Sequence, residues 1–299
     1  MEFRNIFMSK PGRVSVFNNQ LAIEQEHNSV SIPIEDISSL LIETEQVSIS
    51  SYALTKLSES GVTVFFCDSK HLPSCQLLPL NQFVRQRKML LLQFGLGKPV
   101  QKQLWQSIVR RKINNQAECL DISGKDGGDR LREIAKNVTS GDAENAEAAA
   151  ASFYFPKLFG TGFSRGRECY INAALNYGYA IIRGAVARNL VIHGLEPCLG
   201  LHHRSELNNF NLADDIMEPF RPIVDLYAAG QDWDEEELNQ RHKQSLFNLT
   251  NFLVKQDGNK YRVMSAIGRC AVSLAQSIKE GKNLLELPEL IPLELHRYE

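Results

Sequence analysis

The hydrophobic period of this chain changes once, and that change limits the fold more than any other feature. Up to about residue 68, apolar residues alternate with polar ones or come in short runs; from residue 83 they recur at helical spacing. A period of two and a period of 3.6 do not fit one element type. The chain is therefore expected to be α+β, with a small β-rich N-terminal domain over 1–68, a linker over 69–82 and a larger all-α catalytic domain over 83–299.

In the first part, Arg13 to Phe17 alternates, Asn18-Asn19 offers a hairpin turn and Gln20 to Gln25 returns, followed by Ser29 to Ile32 and Pro33, which ends the strand or places it at an edge. Leu40 to Ile42 and Val47 to Ile49 add short strands. A helix over Ser51–Glu59 stops at Gly61, and Val62 to Phe66 reads as a buried strand. This part has no catalytic constellation; its expected work is packing and pairing between copies of the chain. Helices are expected over Phe83–Leu96, Pro99–Asn115, Asp129–Val138, Gly141–Phe155 with Asp142 as cap, Arg167–His193, Asp234–Val254 and Tyr261–Lys279. The tail from Glu286 is acidic and Pro-punctuated, and reads as an unstructured end or a docking strip.

Six cysteines lie scattered without a C-x-x-C pair, which argues against structural zinc and fits a reducing cytoplasm. No secretion signal or membrane span is legible. The net charge of −2 hides an uneven distribution. Between Asp68 and Glu118 there is no acidic residue, while Lys70, Arg85, Arg87, Lys88, Lys98, Lys102, Arg110, Arg111 and Lys112 all fall there. Such a run can be a solvated helix face, but so long a block without counter-charge favours a polyanion partner.

The chemistry concentrates in Gly200–Pro222, which holds His202, His203, Asp214, Asp215, Glu218 and Arg221. On a helix starting near Leu212, Asp215 and Glu218 stand three apart, so both carboxylates share one face and call for a cation. The plainer account also stands: acidic residues collect in first helical turns, and Asn211 or Asp214 can act as cap. Glu147, set among Ala146 and Ala148 to Ala151, is either a solvent-facing residue or a carboxylate that faces a cation. Arg165 and Arg167 precede the longest helix and can clamp phosphate.

Three separated motifs resemble one family: Glu147-x-x-x-Ala151-x-x-Tyr154-Phe155; Gly200-x-x-His203 following Gly194-Leu195-x-Pro197; and Asp215-x-x-Glu218-Pro219-Phe220-Arg221-Pro222. Between the first two lies Asn172-Ala173-x-Leu175-Asn176-Tyr177-Gly178-Tyr179. In order and spacing the chain resembles the CRISPR adaptation integrases, the first of the CRISPR-associated protein families, with members from type II systems the nearest resemblance. The resemblance implies that Glu147, His203 and Glu218 converge on Mg²⁺ or Mn²⁺, with Asp215 and His202 as accessories. It implies a metal-dependent integrase and endonuclease that inserts short foreign DNA into a CRISPR array, by attack of a 3′-hydroxyl on a repeat-end phosphodiester. Arg85, Arg87, Lys88, Arg110, Arg111, Lys112, Arg165, Arg167 and Arg221 are the residues expected to hold double-stranded DNA. A homodimer bridged by a dimer of the second CRISPR-associated protein is implied as well. Two other readings use the same residues: a nuclease for branched repair intermediates, with water as nucleophile, and a non-catalytic DNA-binding subunit.

Overall fold

A computed structural model describes residues 4–79, 83–231 and 238–295. The first stretch runs β1 (Arg4–Met8), β2 (Gly12–Phe17), β3 (Gln20–Gln25), β4 (Asn28–Pro33), β5 (Ile37–Ile42), β6 (Val47–Ile49), α1 (Ser51–Glu59), β7 (Thr63–Cys67) and β8 (Pro73–Gln76). The remainder runs α2 (Gln86–Phe94), α3 (Lys98–Ile122), α4 (Gly128–Lys136), α5 (Ala146–Phe159), α6 (Tyr170–Ile192), α7 (Asn211–Met217), α8 (Arg221–Ala229), α9 (Gln240–Asn248), β9 (Leu253–Gln256), β10 (Asn259–Arg262) and α10 (Val263–Glu280). A β-rich part thus precedes a mostly helical one. Among the described residues no helix is long and apolar enough to cross a membrane.

Among the described residues, one compact unit comprises 4–79 with 239–248. Asn18 and Asn19 both take left-handed backbone, with φ of 48° and 57°, which is the turn whose twist matches that of the strands it joins. It folds β2 back on β3, and the sheet runs β4-β3-β2-β6. Pro33 closes β4 at the sheet edge, where a missing N–H costs no ladder bond. The second sheet runs β1-β5-β7-β8, with β5 fully buried between parallel partners β1 and β7. Val14, Val16, Leu21 and Ile23 from the first sheet meet Leu40, Ile42 and Val64 from the second, together with Leu57 of α1.

Two expectations change here. The stretch 69–82 is not simply a linker: Pro73–Gln76 pairs antiparallel with β7 as an edge strand, a position that tolerates Pro73. Residues 80–82 lie outside the described residues. Helix α9 belongs to this unit rather than to the helical one, because Phe247 packs against Phe7 and Phe65 and Lys243 pairs with the buried Glu43 at 2.8 Å.

The other unit, chiefly 83–231 and 249–295, is built on two long helices. Helix α3 buries Leu104, Trp105, Ile108, Val109 and Ile113 at helical spacing, and α6 buries Leu175, Ile181, Ile182, Val186 and Leu190. This unit is not all helical. The helix expected over Asp234–Val254 is shorter, with 234–237 outside the described residues, and β9 and β10 form a hairpin on Asp257 and Gly258, both at positive φ. Residues 286–295 strap onto that hairpin: Lys255 and Glu289 exchange backbone hydrogen bonds, and Leu253 N–H donates to the Glu294 carbonyl. The described part of the tail is therefore neither loose nor free to dock elsewhere; residues 296–299 lie outside it.

Helix α5 starts later than expected. Gly141, Asp142 and Asn145 all have positive φ, which keeps them out of a right-handed helix. The Asp142 carboxylate nonetheless accepts from the amides of Ala146 and Glu147 at 2.8 and 3.1 Å, capping the helix from outside. At the other end the helix passes through Pro156 to Phe159.

Candidate active site

Glu147 sits in the first turn of α5, fixed there by the Asp142 cap. Glu218 opens a 3₁₀ turn, Glu218–Phe220, that joins α7 to α8. The turn is pinned from beneath by Asn115 of α3, whose amide donates to the Pro219 carbonyl at 2.7 Å and to the Pro288 carbonyl at 2.9 Å, while its carbonyl accepts from Leu290 N–H. All of this is buried, so each polar atom has a partner in the protein rather than in water.

The two carboxylates face one cation. Lys112 Nζ stands 2.6 Å from Glu147 Oε1 and 2.5 Å from Glu218 Oε2. The Glu218 Oε2 approach is close but not aligned as a hydrogen bond, and it acts as a charge contact. Glu218 Oε1 accepts from Arg221 Nε at 2.9 Å, and the Arg221 guanidinium lies 4.5 Å above the Tyr179 ring. Burial pushes the Glu218 carboxyl up, but Arg221 and Lys112 together outweigh it and hold the group below its ordinary value. Lys112 is held above its ordinary value: its burial is outweighed by Glu218 and Glu147.

The histidine comes from the loop between α6 and α7. Asp215, with no exposure, accepts from the amides of Leu201, His202 and His203 and from His203 Nδ1 at 2.6 Å. The bond to Asp215 raises the His203 ring above its usual value against its burial, with Glu218 and Glu147 adding to the same direction. Those two carboxylates are thus electrostatic neighbours of His203. Gly200 is required where it stands: a Cβ there would lie 2.2 Å from the His203 carbonyl oxygen and 3.0 Å from Asp215 Oδ2.

The expected residues therefore divide. Glu147 and Glu218 meet at Lys112, and His203 lies near enough for their charge to act on its ring. Asp215 and Glu218 take different partners: Asp215 binds the histidine loop, and Glu218, the first residue of the 3₁₀ turn, faces Lys112. Asp215 thus supports His203. His202 is drawn away, stacked on Trp105 at 4.3 Å and 4°. Lys112, expected on DNA, is buried between carboxylates. Arg110 donates to the Val138 carbonyl and Arg111 pairs with Glu289 at 3.1 Å, so a block without local counter-charge acquires partners from elsewhere in the chain. Arg85, Arg87 and Lys88 are exposed and carry no ion pair among the described residues. Arg167 is also exposed.

Arg165 is held by the side-chain carbonyls of Asn172 and Asn176, the latter at 2.8 Å. With Arg183 and Arg221 it lines a cleft of about 280 Å³ in which Asp214 is the one carboxylate. A wider open cleft of about 860 Å³ continues past Arg165 to Arg167, Phe159 and Phe163. Several residues here were not singled out from the sequence: Trp105, Asn115 and Asp225. Asp225 is fully buried and accepts from the hydroxyls of Tyr154, at 3.0 Å, and Tyr179.

Two carboxylates and an imidazole are the donor types that suit a hard divalent ion. Glu218 Oε2, buried and without an aligned donor, is consistent with that use. As the side chains stand, no group of three His, Cys, Asp or Glu among the described residues is arranged to hold an ion, and the Lys112 ammonium takes the place between the carboxylates.

Residues 6–231 match the profile of CRISPR associated protein Cas1. The chain is 42% identical over 306 residues to the CRISPR-associated endonuclease Cas1 of Neisseria meningitidis serogroup C (strain 8013), covering 100% of each. In structure it is similar to a casposase bound to integration product, with a TM-score of 0.75 at 19% identity, over 95% of this chain and 92% of the other. It is also similar to a Cas1 protein from Thermotoga maritima, with a TM-score of 0.73 at 17% identity, over 94% and 99%. The two structural likenesses establish the fold, and the sequence match establishes kinship: the chain belongs to the CRISPR associated protein Cas1 family.

Proposed function

We propose that this chain inserts short DNA fragments into a CRISPR array. The 3′-hydroxyl of the fragment attacks a backbone phosphate at the edge of a repeat; a new P–O bond forms, and the displaced 3′-oxygen of the repeat strand leaves with a proton. The observation that carries this reading is the meeting of Glu147 and Glu218, from separate elements, at one cation position, with His203 near enough to feel their charge. Family membership supports it, since the relative in Neisseria is named an endonuclease and a neighbour of the same fold is bound to an integration product.

Glu147, His203 and Glu218 would hold Mg²⁺ or Mn²⁺, which when bound supplies charge stabilisation for the attacking and leaving oxygens. Asp215 fixes the ring of His203 by its Nδ1, leaving Nε2 as the nitrogen able to ligate. Arg221 steadies Glu218, and the arginine-lined cleft beside it suits the phosphates of the incoming strand. Arg85, Arg87, Lys88 and Arg167, exposed and without an ion pair among the described residues, would hold duplex DNA by its backbone. The working assembly is a homodimer bridged by the second CRISPR-associated protein, because two fragment ends require two sites.

The test is incubation of the chain, that partner and Mn²⁺ with a fragment bearing either 3′-hydroxyl or 3′-deoxy ends and a plasmid that carries a repeat array. Joining with the hydroxyl only, lost in Glu218→Ala while DNA affinity persists, is expected. Equal joining by Glu218→Ala would leave this reading without support.

A further inference from the structure

We propose that Lys112 is a built-in stand-in for the divalent ion: it holds Glu147 and Glu218 together in the metal-free chain and is displaced when the ion enters. This rests on the metal-dependent function proposed above. The charge count leads to it. Two carboxylates, Glu147 and Glu218, are met by two cations, Lys112 and Arg221, so the cluster is already neutral. Adding a divalent ion to that cluster would leave two surplus positive charges around a glutamate that is 4% exposed, and like charges at that depth repel strongly. One cation has to move.

The geometry selects which. Arg221 is fixed twice, by its bond to Glu218 Oε1 and by its seat over the Tyr179 ring. Lys112 has only the two carboxylates as partners among the described residues, at the end of a flexible four-carbon stem. Its neighbours on α3 point away, Arg110 to a backbone carbonyl and Arg111 to Glu289, so Lys112 is the one basic residue of that run on the face turned to the site. Two acids brought this close without a cation would repel; the ammonium keeps them gathered, and it competes with the ion for them.

The test uses the full chain in three forms, native, Lys112→Met and Lys112→Gln, with Mn²⁺ alone as the probe. Free Mn²⁺ is followed by electron paramagnetic resonance, and melting temperature is measured in chelator and in Mn²⁺. Removing the competitor is expected to tighten Mn²⁺ binding about tenfold. In chelator both variants should melt below the native chain, and Mn²⁺ should raise their melting temperature more than it raises the native one. Mn²⁺ binding at native strength or weaker in both variants overturns the inference while leaving a metal site in place. No Mn²⁺ binding by any of the three overturns the inference and the function together. Variants that stay unfolded even in Mn²⁺ overturn it too, since the ion would then not replace the ammonium.

Discussion

The ring of His203 stands 2.6 Å, through Nδ1, from a carboxylate oxygen of Asp215, and the same carboxylate receives the amides of three successive residues, Leu201 to His203. One fully buried acid therefore sets both the path of the loop and the orientation of its imidazole. Removing it strands three amide donors.

Asp215→Ala is accordingly expected to lower unfolding free energy by about 3–5 kcal/mol, the range for breaking a buried charged network on one side. Asp215→Asn should cost less, since its carbonyl can still accept. Urea unfolding decides; a loss below about 1 kcal/mol for the alanine variant would mean that other contacts fix the loop.

Gly200→Ala should disturb the site by size alone. The added methyl meets the His203 carbonyl oxygen, a backbone atom that cannot swing aside. Overpacking of this kind costs about 1–3 kcal/mol. Strand joining should fall with it, and a variant with native melting temperature and native joining rate would contradict the steric argument.

Asp225 gives a pH dependence whose sign can be worked out. Burial raises its carboxyl from 3.8 to about 6, with the Tyr179 and Tyr154 hydroxyls opposing part of that shift. Between those two values the folded chain keeps a proton that the unfolded chain has released, so this group's contribution falls as pH rises from about 4 through 6, by about 3 kcal/mol in all. Asp225→Asn abolishes the titration. Relative to the native chain it should gain that amount between pH 4 and 7 in denaturant titrations, and a difference that stays constant with pH would refute the assignment.

Salt dependence should separate the basic residues. Neutralising Arg85, Arg87 and Lys88 together is expected to reduce the slope of log affinity against log salt by about 1 for each phosphate that is no longer neutralised. Neutralising Arg110 and Arg111 should change it little, because the first donates to the Val138 and Lys136 carbonyls and the second pairs with Glu289. Equal slopes for the two sets would remove the distinction.

In the β-rich start the hairpin was legible, since Asn18-Asn19 and the alternation about it leave few other arrangements, whereas β1 and β8 were not read as strands. The break at Asp257-Gly258 fell between two expected helices, but the residues flanking it, Leu253–Gln256 and Asn259–Arg262, were not read as strands. At the site, the spacing of Asp215 and Glu218 suggested one acidic face. The folded chain gives the two different partners, the histidine loop for Asp215 and Lys112 for Glu218, and spacing alone does not reveal partners. Lys112 departs further, from an expected place on DNA to a buried place between carboxylates. It follows Trp105 by seven residues and Ile108 by four, which places it on the buried stripe of α3; a charge tally that ignores helix face puts it in solvent. What the acid-free block lacked was not counter-charge but nearby counter-charge, and only the folded chain supplies the distant kind.

The clamp on Asn115 joins residues that a ribosome makes far apart in time. Its amide is oriented by Pro288 and Leu290 while it steadies the carbonyl of Pro219, next to Glu218. A growing chain can shape its helices early, yet the turn bearing that glutamate is not secured until residue 290 has emerged. Losing the segment that carries Pro288 and Leu290 would thus loosen a glutamate some seventy positions upstream without touching it.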